Sequence, residues 1–106
     1  MNDFWKIELL TEEDGLTFVD GRVVTYKTGY QVATCGVECQ SAAEAINACR
    51  SYNGNCGVWL SNGIYYVDKS YRIGSLKKAL RIGKACHQIS ILKWHDMSLL
   101  HLKNRR

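Results

Sequence analysis

The chain has 106 residues, a formal net charge of +4 and a hydrophobic fraction of 46%, which fits one small domain with a single core and excludes wholesale disorder. No apolar run approaches the roughly 18 residues of a membrane span. The acidic start has neither the basic opening nor the apolar stretch of a signal peptide, so a cytoplasmic protein is the expectation. The net charge conceals a split by sign. Residues 1–20 hold six acids (Asp3, Glu8, Glu12, Glu13, Asp14, Asp20) against Lys6, and residues 69–106 hold ten bases against Asp96. Such asymmetry suits a surface that meets an anion or an acidic partner.

In chain order, Phe4–Leu9 alternates apolar and charged residues and reads as a first strand, followed by a turn over Thr11–Gly15. Leu16–Val19 reads as a strand, Asp20-Gly21 as a hairpin turn, and Arg22–Lys27 and Tyr30–Cys35 as further strands about Gly29. Ser41-Ala42-Ala43-Glu44 matches a capping box and opens a helix through about Ser51, stopped by Asn53-Gly54-Asn55. Gly57–Leu60 and Ile64–Val67 flank Asn62-Gly63, the favoured sequence for a two-residue hairpin. Ser75 caps a second helix running to about residue 86, with Leu76, Ala79, Leu80 and Gly83 on its apolar stripe. Gln88–Trp94 and Ser98–Leu102 return to strand patterns, and Lys103–Arg106 forms a basic tail.

The order strand, serine-capped helix, strand occurs twice, over 30–59 and 66–94. It predicts an α+β fold: a mostly antiparallel sheet of about five to seven strands with two helices, about 41–51 and 75–87, packed on one face. One domain covers 1–106, with N-terminal hairpins over 1–28, the pseudo-repeat over 29–102 and the tail over 103–106.

Five cysteines, Cys35, Cys39, Cys49, Cys56 and Cys86, cannot all pair internally, and without an export signal reduced thiols are expected. Cys35 and Cys39 have finger-like spacing, but no second tight pair accompanies them, so no metal is expected. Cys86-His87 and His95-Asp96 are neighbours in sequence only. No phosphate loop, Gly-x-Ser-x-Gly elbow or His-Glu-x-x-His motif occurs. The expectation is a protein without catalytic residues or cofactors.

The basic helix carries the strongest functional signal. Lys77, Lys78, Arg81 and Lys84 have no acid three or four residues away, and Arg72 precedes them. The same pattern serves a solvated face that keeps a small protein in solution or a landing site for phosphates or an acidic protein surface. Tyr71 and Trp94 flank the helix and complete the candidate set, because an exposed ring beside Arg72 would stack on a base or anchor an interface.

Tyr66–Arg72, Ala79–Gly83 and Gln88–Ile91, with Tyr30-Gln31-Val32 after Thr28-Gly29, resemble a strand-helix-strand module of small accessory proteins from phages and mobile elements. Such proteins include anti-CRISPR inhibitors and the sponges that sequester cyclic nucleotide signals of the Thoeris system. The resemblance spans about residues 28–95. It implies a non-enzymatic inhibitor of bacterial immunity in the host cytoplasm, which binds a host defence protein or sequesters its cyclic nucleotide signal. A small nucleic-acid-binding domain using the basic helix is the alternative, and a homodimer or higher oligomer through edge strands is a third.

Overall fold

A computed structural model describes residues 2–88 and 90–102. The tail over 103–106 and Ile89 of the Gln-Ile-Ser-Ile segment lie outside the described residues. The fold is α+β: an antiparallel, curled seven-stranded sheet with helices packed against it. A 3-10 helix, Phe4–Leu9, leads into β1 (Asp14–Val19), β2 (Arg22–Val23), β3 (Tyr30–Cys39) and α1 (Ala42–Ser51). β4 (Cys56–Ser61), β5 (Ile64–Ile73), α2 (Leu76–Ala85), β6 (Ser90–Lys93) and β7 (Ser98–His101) follow.

The strand order is β2-β1-β4-β5-β3-β6-β7. The segments β3-α1-β4 and β5-α2-β6 therefore each skip one position, which the first strand of the other fills. This interleaving is the split β-α-β pattern of ferredoxin-like sheets. The described residues fall into two compact units, one within Met1–Val24 and Gly36–Lys69, the other within Thr25–Cys35 and Ser70–Arg106.

In the first unit, Phe4 and Ile7 of the 3-10 helix, Phe18 of β1, Ala45 and Cys49 of α1, Cys56 and Val58 of β4 and Val67 of β5 share one core. The N-terminal strand expected at Phe4–Leu9 is thus a helix instead. Residues 4 and 7 are both buried; a strand would send them to opposite faces, whereas a three-residue turn stacks them on one. Phe4 meets Phe18 edge-on, with ring centroids 5.2 Å apart.

The α1 cap forms with one change. Ser41 Oγ accepts the Glu44 amide, but the Glu44 carboxylate accepts the amide of Gln40, one residue before the expected donor. Asn62 and Gly63, with φ of 53° and 77°, give the left-handed pair that a type I′ hairpin needs. Strand β5 continues six residues past the expected Val67. Its early part is registered on β4 as far as Lys69, opposite Cys56, and this pairing overrides the weak strand preference of Asp68 and Lys69.

The cysteines correct the expectation of reduced thiols at one pair. The turn after α1 returns the chain into β4 and brings the Cα atoms of Cys49 and Cys56 to 5.7 Å, where they form a disulfide. Cys35, Cys39 and Cys86 are free. Burial, and then the nearby Glu44 carboxylate, push the Cys39 thiol up from its usual range. Reduction should lower the unfolding free energy in urea by about 2.5 kcal/mol, the loop-closure value for so short a ring. An unchanged midpoint after mass spectrometry confirms the gain of two hydrogens would contradict the bridge's role.

In the second unit, Val32 of β3, Ala79 of α2 and Ile91 of β6 are the buried centre, with Tyr30, Ile73, Leu80, Ile82, Leu100 and Leu102 around them. Helix α2 seats through its small residues: a side chain on Gly83 would press against Leu102 and, at 3.2 Å, against Ile91. Leu76, expected on this apolar stripe, is instead 43% exposed. The contact is centred on Ala79 and Gly83, and the first turn gains no cover from it.

Candidate binding surface

Helix α2 starts where Ser75 Oγ accepts the Lys78 amide at 3.3 Å. The burial of Ala79 and Gly83 fixes the helix rotation, and Lys77, Lys78, Arg81 and Lys84 are left exposed. Among the described residues no ion pair engages any of the four. Lys77, Arg81 and Lys84 lie at i, i+4 and i+7 on one stripe, with Lys78 beside it, so the cations form a continuous convex face.

The acids of the N-terminal segment are used differently. Both oxygens of Glu12 accept amides of the β4–β5 hairpin, from Asn62 at 2.6 Å and Gly63 at 2.9 Å. Glu13 accepts the Ser61 hydroxyl at 2.5 Å, and Asp3 accepts the Val23 amide at 3.0 Å and pairs with Arg22 at 3.5 Å. The Val23 amide, more than any neighbouring charge, holds the Asp3 carboxyl below its usual range. Four of the acids noted in the sequence therefore close turns and strand ends, Asp14 by taking the next amide at 3.0 Å. Among the described residues, no side-chain hydrogen bond or ion pair gives the bases of α2 such a task.

Arg72 and Trp94 are held by contacts of their own. Arg72 Nε donates to the Thr28 carbonyl and Nη2 to the Thr28 hydroxyl, each at 3.0 Å. The guanidinium lies 5.2 Å from the Tyr26 ring centroid, and Tyr26 meets Trp94 edge-on at 5.5 Å. Thr28 thus engages one of the guanidinium's two-point edges, Nε with Nη2, while Arg72 itself stays exposed. Trp94 is only 4% exposed. Its indole N–H donates to Gln31 Oε1 at 3.1 Å, and the Gln31 amide donates to Ser70 Oγ at 2.9 Å. These residues form a satisfied polar network that fixes the sheet locally. Tyr71 is exposed, and strand alternation turns it away from Arg72 and to the side of β5 whose Ile73 packs on the α2 core. Beside His95, Asp96 accepts the Ser98 hydroxyl at 2.6 Å and amide at 3.1 Å, bonds that hold its carboxyl low and shape the β6–β7 turn.

The sequence reading missed Tyr26 and Thr28, the partners that engage Arg72. The signal for them is faint, since Thr28 lies 44 residues before Arg72. It also left unassigned an aromatic face in the first unit, built on Trp59, Tyr66 and Asp68. Among the described residues no helix is long and apolar enough to cross a membrane, and no cluster of His, Cys, Asp or Glu is arranged to hold a metal.

Fold and surface together define a small α+β sheet protein that displays one basic helix. Comparison with protein-family models, curated proteins and solved structures gave no match to this chain.

Proposed function

We propose that the chain is a non-enzymatic binding protein that lays the basic face of α2 on an acidic surface of a partner protein. In the setting suggested by its resemblance to phage and mobile-element accessory proteins, that partner is a host defence protein in the bacterial cytoplasm, and occupancy inhibits immunity. The observation that carries the reading is the set Lys77, Lys78, Arg81 and Lys84, exposed and outside any ion pair among the described residues. Four uncompensated cations on ten helical residues favour an anionic partner and speed encounter with it.

The shape of the surface bears on the choice of partner. A small cyclic nucleotide is held best by a concave site with converging polar groups. The α2 face is the convex side of a helix, and the Nε–Nη2 edge of Arg72 is engaged by Thr28, which favours protein occupancy over nucleotide sequestration. One observation favours nucleic acid as the second reading: an exposed basic helix face is of the kind that lies in a major groove. The fold itself decides nothing between these, because a split β-α-β sheet hosts many functions.

Lysate from a bacterium carrying the relevant defence systems tests the choice. Protein occupancy predicts capture of an acidic protein by the wild-type chain and its loss with Lys77→Glu plus Arg81→Glu. The nucleic-acid reading predicts saturable binding to a DNA duplex at about 50 mM salt that falls at least tenfold by about 200 mM. Failure of both ends the use of α2 as a binding face.

A further inference from the structure

The face of the first unit's sheet turned away from α1 has its own chemistry. Alternation sends Phe18, Cys56, Val58 and Val67 into the core, so the opposite positions, Thr17, Gly57, Trp59, Tyr66 and Asp68, share the other side. Trp59 and Tyr66 are directly opposed on β4 and β5 and are 46% and 36% exposed. Beside them Asp68 faces Gly57 across the β4–β5 ladder. On the other flank, a side chain added to Gly36 of β3 would lie 3.1 Å from the Asp68 Cβ. A side chain on Gly15 of β1 would come within 2.8 Å of the Trp59 ring. The glycines therefore leave the indole lying low over β1 and the carboxyl in a shallow bay between strands.

The charges of this patch have one sign. Besides Asp68, Glu38 shares the face, two residues along β3 from Gly36, and is exposed. Tyr66 is the remaining titratable group on the patch. The strands β3, β4 and β5 place no base on it within this unit, and Arg22 on the edge strand β2 is paired with Asp3. Phosphate is repelled here, whereas a cation gains both ring faces and carboxylates.

We propose that this face docks a cationic side chain of a protein partner, an arginine whose guanidinium stacks on Trp59 and pairs with the Asp68 carboxylate. Arginine fits better than lysine because its plane stacks on an indole while its N–H fork meets a carboxylate. The site uses no residue of α2 and is opposite to it in sign, so it stands whether or not the basic helix binds an acidic surface. It also carries a proton. Burial pushes the Asp68 carboxyl up to about 7, against the pull of the Gly57 amide. Docking a guanidinium favours the ionised form and expels that proton, so affinity rises with pH.

The test titrates the full chain with a pentapeptide containing two arginines, followed by tryptophan fluorescence and calorimetry. The same peptide with citrulline for arginine is the neutral control. The expected result is saturable binding at pH 8 that weakens about tenfold at pH 6, as the ionised fraction of a group titrating near neutrality falls. Citrulline should abolish it, and Trp59→Ala should weaken it about tenfold. Asp68→Asn should bind weakly at both pH values, without the slope. Tyr66→Ala, more peripheral to the bay, gives a second reading if Trp59→Ala unfolds, as judged by circular dichroism. No binding at pH 8, equal binding of the citrulline peptide, or a pH slope that survives Asp68→Asn would overturn the proposal.

Discussion

Replacing Asp68 with asparagine should make the protein more stable at pH 8 and remove most of the pH dependence of its stability between about 4 and 7. The folded carboxyl titrates near 7 rather than 3.8 because burial disfavours its charge. Its folded value is raised, so between those limits the native state holds a proton that the unfolded chain has released. Stability is then greatest below about pH 4, falls as pH rises through the window and levels off above about 7. Raising the carboxyl from its ordinary range to about 7 corresponds to a loss of up to about 4 kcal/mol. Asparagine fits the same bay, can still accept the Gly57 amide and does not ionise. Urea midpoints from pH 4 to 8 check this. Curves for the wild type and for Asp68→Asn that run parallel across the range would show that Asp68 titrates as an ordinary surface acid.

The second large effect is expected at Gly54. This residue ends the α1 turn at φ 78°, donates its amide to the Cys49 carbonyl and accepts the Gly21 amide. A Cβ there would collide with the Gly21 backbone nitrogen and approach the Asp20 carbonyl carbon to 2.9 Å, and backbone cannot swing aside as a side-chain end can. Gly54→Ala should therefore cost about 3 kcal/mol, combining left-handed strain with loss of the close approach. Gly63→Ala is the control. Its φ is 77°, but an added Cβ would meet nothing within 4 Å, so only the conformational cost of about 1 kcal/mol should appear. Equal losses at both sites, measured by chemical denaturation, would remove the Gly21 contact from the account.

These two residues show where sequence reading reached and where it stopped. Gly54 was legible as a helix stop because Asn53-Gly54-Asn55 is a local signal, as were the caps at Ser41 and Ser75 and the turn at Asn62-Gly63. Each depends on residues within a few positions of one another. The α+β class followed from them, since capped helices alternating with short strands admit few layer arrangements. Phe4–Leu9 was misread because alternation and a three-residue repeat cannot be separated over six positions, and only burial of both Phe4 and Ile7 decides between them.

The surface was less legible, for a related reason. Exposure of the α2 lysines follows from their own helix, and it appears as the spacing predicts. The roles of Arg72 and Trp94 depend on Thr28 and Gln31, 44 and 63 residues away. Those contacts tie Arg72, which remains exposed, and the buried Trp94 to the sheet. Asp68 has no local mark at all. Its near-neutral titration comes from its burial between strands, with glycines at 36 and 57 leaving room beside it. The charge split along the chain likewise has two physical halves: several acids close backbone turns, whereas among the described residues the α2 bases do not.

The proposed binding face is the basic stripe of α2, exposed and outside any ion pair among the described residues. Its most direct measurement is the affinity for the captured acidic partner by biolayer interferometry, wild type beside Lys77→Glu plus Arg81→Glu, over a salt series. Both substitutions lie on exposed positions and should leave the urea midpoint nearly unchanged. Wild-type binding should weaken steadily with salt, and the variant should bind about a hundredfold less tightly at low salt. Equal affinities for the two proteins, or wild-type binding indifferent to salt, would contradict this role of α2.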